Sequence, residues 1–149
     1  MRLITSGEVS EFINTNAWRY LGALRILKEK LTAFRFSEKG RNSIYSIYSR
    51  GQRQPGGDEL KEARKVKDKV NKIRTKGNPA KGLPPDPTFP VQHVGDIIAL
   101  TMVCVYPLDI ETAKSFIFEQ EQQHKFLKIY EHEPKDEGGY RAYHFVAGL

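Results

Sequence analysis

The sequence contains one cysteine, no long apolar run, and no internal repeat or heptad array. Cys104 has no second cysteine for an internal disulfide. Its place in the apolar run Ile97 to Val105 predicts that it packs as a small hydrophobic residue. No apolar stretch approaches the ~20 residues that span a bilayer, and the N-terminus lacks the charged and apolar regions of a signal peptide. We therefore expect a cytoplasmic protein with no membrane partner.

The 149 residues give room for one domain, and 39% hydrophobic with 28% charged residues is typical of a globular protein. The net charge of +6 is carried by one segment, Lys61 to Lys76, and the rest of the chain is neutral. Charge concentrated in this way favours phosphate-bearing partners, either nucleotides or RNA, more than a uniform excess would. A solvated helix face is the other explanation of the same segment.

Apolar residues at helical spacing predict an N-terminal helical segment over residues 1–33. Thr5 and Glu8 have the spacing of a capping box, and one or two helices are expected from Glu8 to Ala33. Asn14 to Asn16 contains residues that favour caps over helix interiors, so it predicts a break between a short helix and a longer one. Phe34 to Arg41 then alternates weakly, like a strand.

The middle of the chain predicts two helices and a loop. Ser43 is expected to cap a helix through Tyr48, and Asp58 is expected to cap the basic helix that follows. The five prolines between Gly77 and Pro90 lack amide donors and predict an extended or mobile loop. The basic helix has one narrow apolar stripe, formed by Ala63, Val66, Val70 and Ile73.

The last third of the chain predicts strands around one helix. Ile97 to Val105 is apolar and rich in β-branched residues, which predicts a central strand buried on both faces. Asp109 is expected to cap a helix from Ile110 to Gln122, and Phe126 to Tyr130 and Ala142 to Val146 alternate like strands. We therefore expect an α+β fold in which helices flank a mixed β-sheet.

The first candidate segment for binding or catalysis is Gly40 to Arg50. It places a cation after a predicted strand, hydroxyls at a predicted helix start, and a second cation further along. A strand-to-helix corner of this kind can hold phosphates. Alternatively, Tyr45, Ile47 and Tyr48 are core residues and Arg41 forms a surface ion pair.

The second segment begins with Asp96, at the mouth of the apolar strand. A carboxylate there suits a magnesium ion, which prefers hard oxygen ligands and bridges substrate phosphates. An aspartate before a strand is also a common cap or turn residue.

The third segment, Pro134 to His144, is a glycine-bearing stretch that delivers an aromatic ring, a cation and an imidazole in quick succession. A ring at a loop tip can stack on a purine base. Gly138 and Gly139 fit a plain hairpin turn equally well, with Tyr140 and His144 as ordinary strand residues.

Together the three segments resemble the RelA/SpoT synthetase family. In that family the ATP corner reads Gly-Arg-x-Lys-x-Ile-Tyr-Ser-Ile-Tyr-x-Lys, the metal strand begins Asp-x-x-Ala-x-Arg, and the acceptor loop reads Gly-Tyr-x-Ser-Leu-His. The likeness extends from about Phe34 to the C-terminus, with residues 52–90 as an insertion that comprises the basic helix and the proline-rich loop. It implies one nucleotidyltransferase-like synthetase domain over residues 1–149.

The resemblance also implies a role for each matching residue. Asp96 is similar to the catalytic magnesium ligand, so Mg²⁺ is the implied cofactor. The residues that correspond to ATP-phosphate contacts are Arg41, Ser46 and Arg50, and those that correspond to the acceptor site are Lys135, Tyr140, Arg141 and His144.

Several positions depart from the family pattern. Asn42 or Ser43 replaces the lysine of the ATP corner, Thr101 replaces the arginine of the metal strand, and Ala142-Tyr143 replaces Ser-Leu. The family's second catalytic carboxylate, a glutamate beyond the acceptor loop, has no counterpart before Leu149. We therefore expect an incomplete domain with feeble activity on its own.

The implied reaction is in-line attack of a ribose 3′-hydroxyl on the β-phosphate of ATP. GDP or GTP would be the acceptor in (p)ppGpp synthesis, and the tRNA 3′ end would be the acceptor in a toxin. A non-catalytic nucleotide- or RNA-binding remnant and an unrelated α/β domain remain as alternatives. An antitoxin or a second copy of the chain stays open as a partner.

Overall fold

In the computed structural model, the described residues are 2–53, 57–124, 127–137 and 140–148. The chain is α+β, as the sequence predicts, and no described helix combines the length and apolar composition that crossing a membrane requires. Two short 3-10 helices span Pro79–Lys81 and Val91–His93. The main elements in chain order are α1 (Ser6–Arg35), β1 (Ile44–Ser49), α2 (Arg50–Arg53), α3 (Ala63–Lys76), β2 (Leu100–Cys104), α4 (Asp109–His124), β3 (Lys128–Glu137) and β4 (Tyr140–Gly148).

Helix α1 begins where the sequence predicts. The Thr5 side chain accepts a hydrogen bond from the Glu8 amide, and the Glu8 side chain accepts one from the Thr5 amide, which completes a capping box. The predicted break at Asn14 to Asn16 is wrong, because α1 is continuous. Asn16 donates its side-chain amide to the carbonyl of Phe12 at 2.9 Å, within the helix.

The segment between α1 and β1 differs from both of its sequence predictions. Residues 36–43 form turns rather than a strand, since α1 extends to Arg35. The predicted helix from Ser43 is instead strand β1. Its β-branched and aromatic residues, which suit either a buried helix or a strand, form a ladder with β2 that no local signal specifies.

Strands β1 and β2 form a two-stranded antiparallel sheet. Ile44 pairs with Cys104 at one end and Ser49 pairs with Leu100 at the other. Strand β2 begins later than predicted and is half-buried throughout, so the expectation of a central strand buried on both faces is wrong. Burial, together with the charge of Asp109, raises the pKa of the Cys104 thiol, which keeps it neutral and unreactive.

The second sheet is the hairpin of β3 and β4, which is also antiparallel. Every strand pairing in the described residues is antiparallel, so the prediction of a mixed sheet is wrong. The two predicted strands are present and longer than expected, although Phe126 lies outside the described residues. Phe118 of α4 packs against the rings of His132 and Phe145, with centroids 4.9 and 5.4 Å away.

Helix α3 packs on α1 through the predicted apolar stripe. Val66 and Val70 are fully buried in one cluster with Val9 and Ile13 of α1. Asp58 does not cap α3, because its carboxylate accepts from the amide of Leu60, two residues along.

Gly77 ends α3 with φ 70° and ψ −151°, a conformation that only glycine adopts readily. A Cβ at Gly77 would also collide with the backbone of Leu83 and Pro84. Gly77 therefore fixes where α3 ends and where the proline-rich loop begins.

Candidate functional site

Asp96 lies on a loop that is held by Arg50. The Arg50 guanidinium donates to the carbonyl oxygens of Asp96 and Ile97, each at 2.6 Å, and the Lys61 amide donates to the same Ile97 carbonyl at 2.8 Å. Among the described residues other than glycine, Asp96 is the one with a positive φ, at 65°. A strained backbone that surrounding contacts hold in place is frequent at functional sites.

The Asp96 carboxylate is occupied by lysines from the basic segment. Lys61 Nζ lies 3.0 and 2.8 Å from its two oxygens, and Lys69 Nζ lies 3.5 Å from Oδ1. The Lys61 side chain is 17% exposed, whereas those of Lys69 and Asp96 are about half exposed. We call Arg50, Lys61, Lys69 and Asp96 the Asp96 corner.

Sequence reasoning treated Lys61 and Lys69 only as part of a charge run, and it missed their contact with Asp96. The two lysines are separated from Asp96 by a loop whose path no motif specifies. The available signal was their position beside the apolar stripe: Lys69 is next to the buried Val70 in α3, and Lys61 lies two residues before α3 begins.

A second polar cluster lies beside the corner, at the end of β1. The buried Ser49 hydroxyl donates to Glu59 Oε1 at 2.7 Å, and the Ser49 amide donates to Gln52 at 2.8 Å. The other Glu59 oxygen is buried without a hydrogen-bond partner among the described residues. No sequence signal pointed to Glu59, since its burial depends on contacts with β1.

Arg41 and Ser46 do not join the Asp96 corner. Asp96 precedes Leu100, which pairs with Ser49, whereas the exposed Arg41 precedes the opposite end of β1. At about 3.3 Å per residue, the two ends of β1 are about 16 Å apart; Arg41 lies before the end at Ile44, and Arg50 follows the end at Ser49. Ser46 is half-buried in the middle of the strand. Arg50 is therefore the residue of the predicted ATP corner that the structure brings to Asp96.

Three of the predicted acceptor residues, Tyr140, Arg141 and His144, lie on strand β4, and Lys135 lies on strand β3. The expectation of an acceptor loop is corrected to the strand positions of the hairpin alternative. His144 is exposed and pairs with Glu133. Tyr140 and Arg141 belong to β4 by their backbone, but their side chains lie outside the described residues, as do Gly138 and Gly139.

The hairpin approaches the Asp96 loop along β4. A Cβ at Gly95 would lie 3.1 Å from Val146 Cγ1, so the residue before Asp96 packs closely against β4. Val146 and His144 are two residues apart on one strand and therefore share a face of the hairpin. The face that carries His144 is thus the one that meets the Asp96 loop.

Lys135, the other predicted acceptor contact, pairs with Glu133 at 2.9 Å. The Lys135 ammonium, first as a hydrogen-bond donor and then as a charge, lowers the pKa of Glu133, and Lys81 and His144 add smaller effects. The stabilisation from this lowered pKa is therefore present at neutral pH and is lost as the pH falls through the pKa of Glu133.

Lys135→Gln is expected to raise the pKa of Glu133 back toward its ordinary value, because it removes the largest cause of the shift. A carboxyl ¹³C NMR titration of the wild type and the variant measures this change. Lys128→Gln, at the far end of β3, serves as the matched control and is expected to leave Glu133 unchanged. Equal shifts in both variants would contradict the assignment to Lys135.

The Asp96 corner can bind a metal ion only if the ion brings further ligands with it. In the described part of the chain, no group of three or more His, Cys, Asp and Glu residues is positioned to hold a metal. Magnesium is usually bound by one or two carboxylates together with substrate phosphates. The half-exposed Asp96 carboxylate therefore suits a magnesium ion carried by a nucleotide.

Comparison with protein-family models, curated proteins and solved structures found no match to this chain.

A groove of about 420 Å³ lies along the C-terminal half of α1, between Arg25 and Phe36, and shares no residue with the Asp96 corner. The corner is an open, charged surface, as is suitable for a polyanion and unsuitable for an apolar ligand.

Proposed function

We propose that the protein is an ATP-dependent pyrophosphokinase that transfers pyrophosphate to the ribose 3′-hydroxyl of GDP or GTP. The observation that carries this proposal is the contact between Arg50 and Asp96. The sequence suggested the first as an ATP-phosphate contact and the second as a magnesium ligand. They are 46 residues apart, yet a hydrogen bond of 2.6 Å joins them.

In this proposal Arg50 and Asp96 position the triphosphate. Two of the five Arg50 N–H donors go to backbone carbonyls, and the guanidinium can offer the others to phosphate oxygens. Asp96 would hold the nucleotide's magnesium ion, which supplies neutralisation of phosphate charge. Positioning and charge neutralisation account for most of the catalysis in phosphoryl transfer.

The acceptor would lie against the face of β4 that meets the Asp96 loop. His144 is exposed there and can donate to a ribose or phosphate oxygen, and Lys135 contributes positive charge. Tyr140 as the base-stacking ring and Arg141 as a further contact remain part of the proposal. Arg41 is left out, since it lies at the opposite end of β1. A cytoplasmic location, where ATP and these acceptors occur, completes the proposal.

One observation favours tRNA as the acceptor. Lys65, Lys69, Lys72 and Lys76 are all exposed and recur at spacings of four, three and four residues, so they form a stripe along one side of α3. A row of lysines suits the phosphates of a long polyanion, whose binding falls steeply with salt. The same transfer reaction to a tRNA 3′ end is therefore the second candidate.

The test is transfer of label from γ-³²P ATP to GDP, GTP or tRNA, with magnesium and with EDTA. We expect a small yield of labelled product with one acceptor class, in keeping with the feeble activity expected from the sequence, and none in EDTA. Arg50→Ala is expected to reduce the rate by about tenfold or more, as loss of one charged phosphate contact does. Arg53→Ala, in the same short helix and stacked on Tyr48, is the matched control and is expected to keep the rate.

Two results would contradict this proposal in different ways. Binding of ATP without transfer to any acceptor would favour the non-catalytic nucleotide- or RNA-binding alternative. Absence of ATP binding, or equal losses in Arg50→Ala and Arg53→Ala, would remove the Asp96 corner as the nucleotide site.

A further inference from the structure

We propose that Lys61 and Lys69 bind the polyphosphate of the nucleotide, and that they exchange the Asp96 carboxylate for phosphate oxygens when the nucleotide enters. This inference rests on the proposed function for its nucleotide, but its binding step can be measured without any transfer reaction.

The position of Lys61 is set by two contacts with the Asp96 loop. Its amide donates to the Ile97 carbonyl at 2.8 Å, and its ammonium lies within 3.0 Å of both Asp96 oxygens. Lys69 reaches the same carboxylate from the second turn of α3, at 3.5 Å. Since Val66 and Val70 anchor α3 on α1, both lysines are held at the corner by a packed helix.

The charges at the corner do not balance. Lys61 and Lys69 bring two cations to the single carboxylate of Asp96, and Arg50 adds a third cation, which donates to the backbone carbonyl of the same residue. Even with the Glu59 carboxylate of the neighbouring cluster counted, one positive charge is in excess. Lys61 is mostly buried, and a buried ammonium group needs an anionic partner. If the Asp96 carboxylate binds a metal ion instead, the phosphate oxygens that accompany the ion can replace the carboxylate as the anionic partner of Lys61.

The excess charge points to polyphosphate more than to a single carboxylate ligand. A triphosphate carries several negative charges over a few ångströms, and each lysine offers three N–H donors. A purely structural ion pair would explain the contact of Lys61 with Asp96, and the backbone contacts of Arg50 explain its place at the loop. Neither explains why Lys69 lies as a second cation 3.5 Å from a carboxylate that is already paired. The two explanations predict opposite effects of removing Asp96.

Isothermal titration calorimetry with inorganic tripolyphosphate and no metal tests the lysines directly. We expect Lys61→Gln and Lys69→Gln each to weaken binding by about tenfold, as loss of one charged hydrogen bond does. Lys67→Gln is the matched control and should stay within about twofold, because Lys67 lies on another side of α3, two positions from Lys69, and pairs with Asp68. Lys61→Arg keeps the charge and should retain most of the affinity.

Asp96→Asn separates the proposal from a structural ion pair. Without metal, this variant is expected to bind tripolyphosphate several-fold more tightly, because the carboxylate no longer competes for the two lysines. With magnesium present, the variant is expected to bind more weakly than the wild type. Weaker metal-free binding by Asp96→Asn, or equal losses in Lys61→Gln, Lys69→Gln and Lys67→Gln, would overturn the proposal.

These outcomes are independent of catalysis. Tripolyphosphate binding that depends on Lys61 and Lys69, in a protein that transfers no label, would sustain this inference and contradict the pyrophosphokinase. Transfer that survives Lys61→Gln and Lys69→Gln unchanged would sustain the pyrophosphokinase and contradict this inference. Because Lys69 is half exposed, Lys69→Gln keeps the test valid if Lys61→Gln fails to fold.

Discussion

Asp96→Asn is expected to lower the rate of pyrophosphate transfer by about 10²- to 10³-fold, a loss typical of removing one group that stabilises charge in the transition state. Asparagine is the most informative substitution at this position, because it tolerates the positive φ of 65° that Asp96 adopts. It also keeps an oxygen acceptor for Lys61. The substitution therefore removes the charge and leaves the backbone and much of the local hydrogen bonding in place.

The fold is expected to survive Asp96→Asn. Its ion pairs with Lys61 and Lys69 are partly exposed, and pairs of that kind contribute about 0.2–1 kcal/mol. Initial rates and urea unfolding curves measured on the same preparation separate the two effects. Asp86→Asn is the matched control, since Asp86 is an exposed loop carboxylate that accepts hydrogen bonds from Thr88. Similar rate losses in both variants would argue against a specific role for Asp96.

Val66→Asp is expected to cost about 4 kcal/mol or more in the free energy of unfolding, which is enough to unfold a domain of ordinary stability. Val66 is fully buried between α3 and α1, against Val9. An aspartate there would bury a carboxylate in a cluster of apolar side chains from α1 and α3. Helix α3 would separate from α1, and Lys61 and Lys69 would leave Asp96.

Lys65→Asp is the matched control for this substitution. It introduces the same side chain one residue earlier, at an exposed position in the first turn of α3, where a negative charge is favourable. We expect it to change the free energy of unfolding by no more than about 0.5 kcal/mol. Circular dichroism in urea measures both variants. A cooperative transition for Val66→Asp at the wild-type midpoint would show that α3 does not contribute to the core.

Part of the candidate site was accessible from sequence alone. Short motifs point to both Arg50 and Asp96, and the structure brings the two residues into contact. His144 was selected in the same way, and it lies on the face of the hairpin that meets the Asp96 loop. Arg41 was selected by the same resemblance, but the strand conformation of Ile44 to Ser49 carries it away from the others.

The sequence by itself determined the elements whose signals are local. The capping box at Thr5 and Glu8 starts α1, and the apolar spacing of Val66 and Val70 gives α3 its buried side. In each case the residues that specify the structure are within a few positions of one another. Hydrogen bonds and apolar periodicity at that range can be read directly from the order of residues.

Only the tertiary structure decided the conformation of Ile44 to Ser49 and the composition of the Asp96 corner. The segment is a strand because β2, more than 50 residues later, offers its backbone as a partner. Lys61 and Lys69 reach Asp96 because apolar burial docks α3 on α1 and because Arg50 holds the loop before β2. Contacts at such separations depend on how whole elements pack, and hydrophobic burial is non-directional, so no local pattern specifies them.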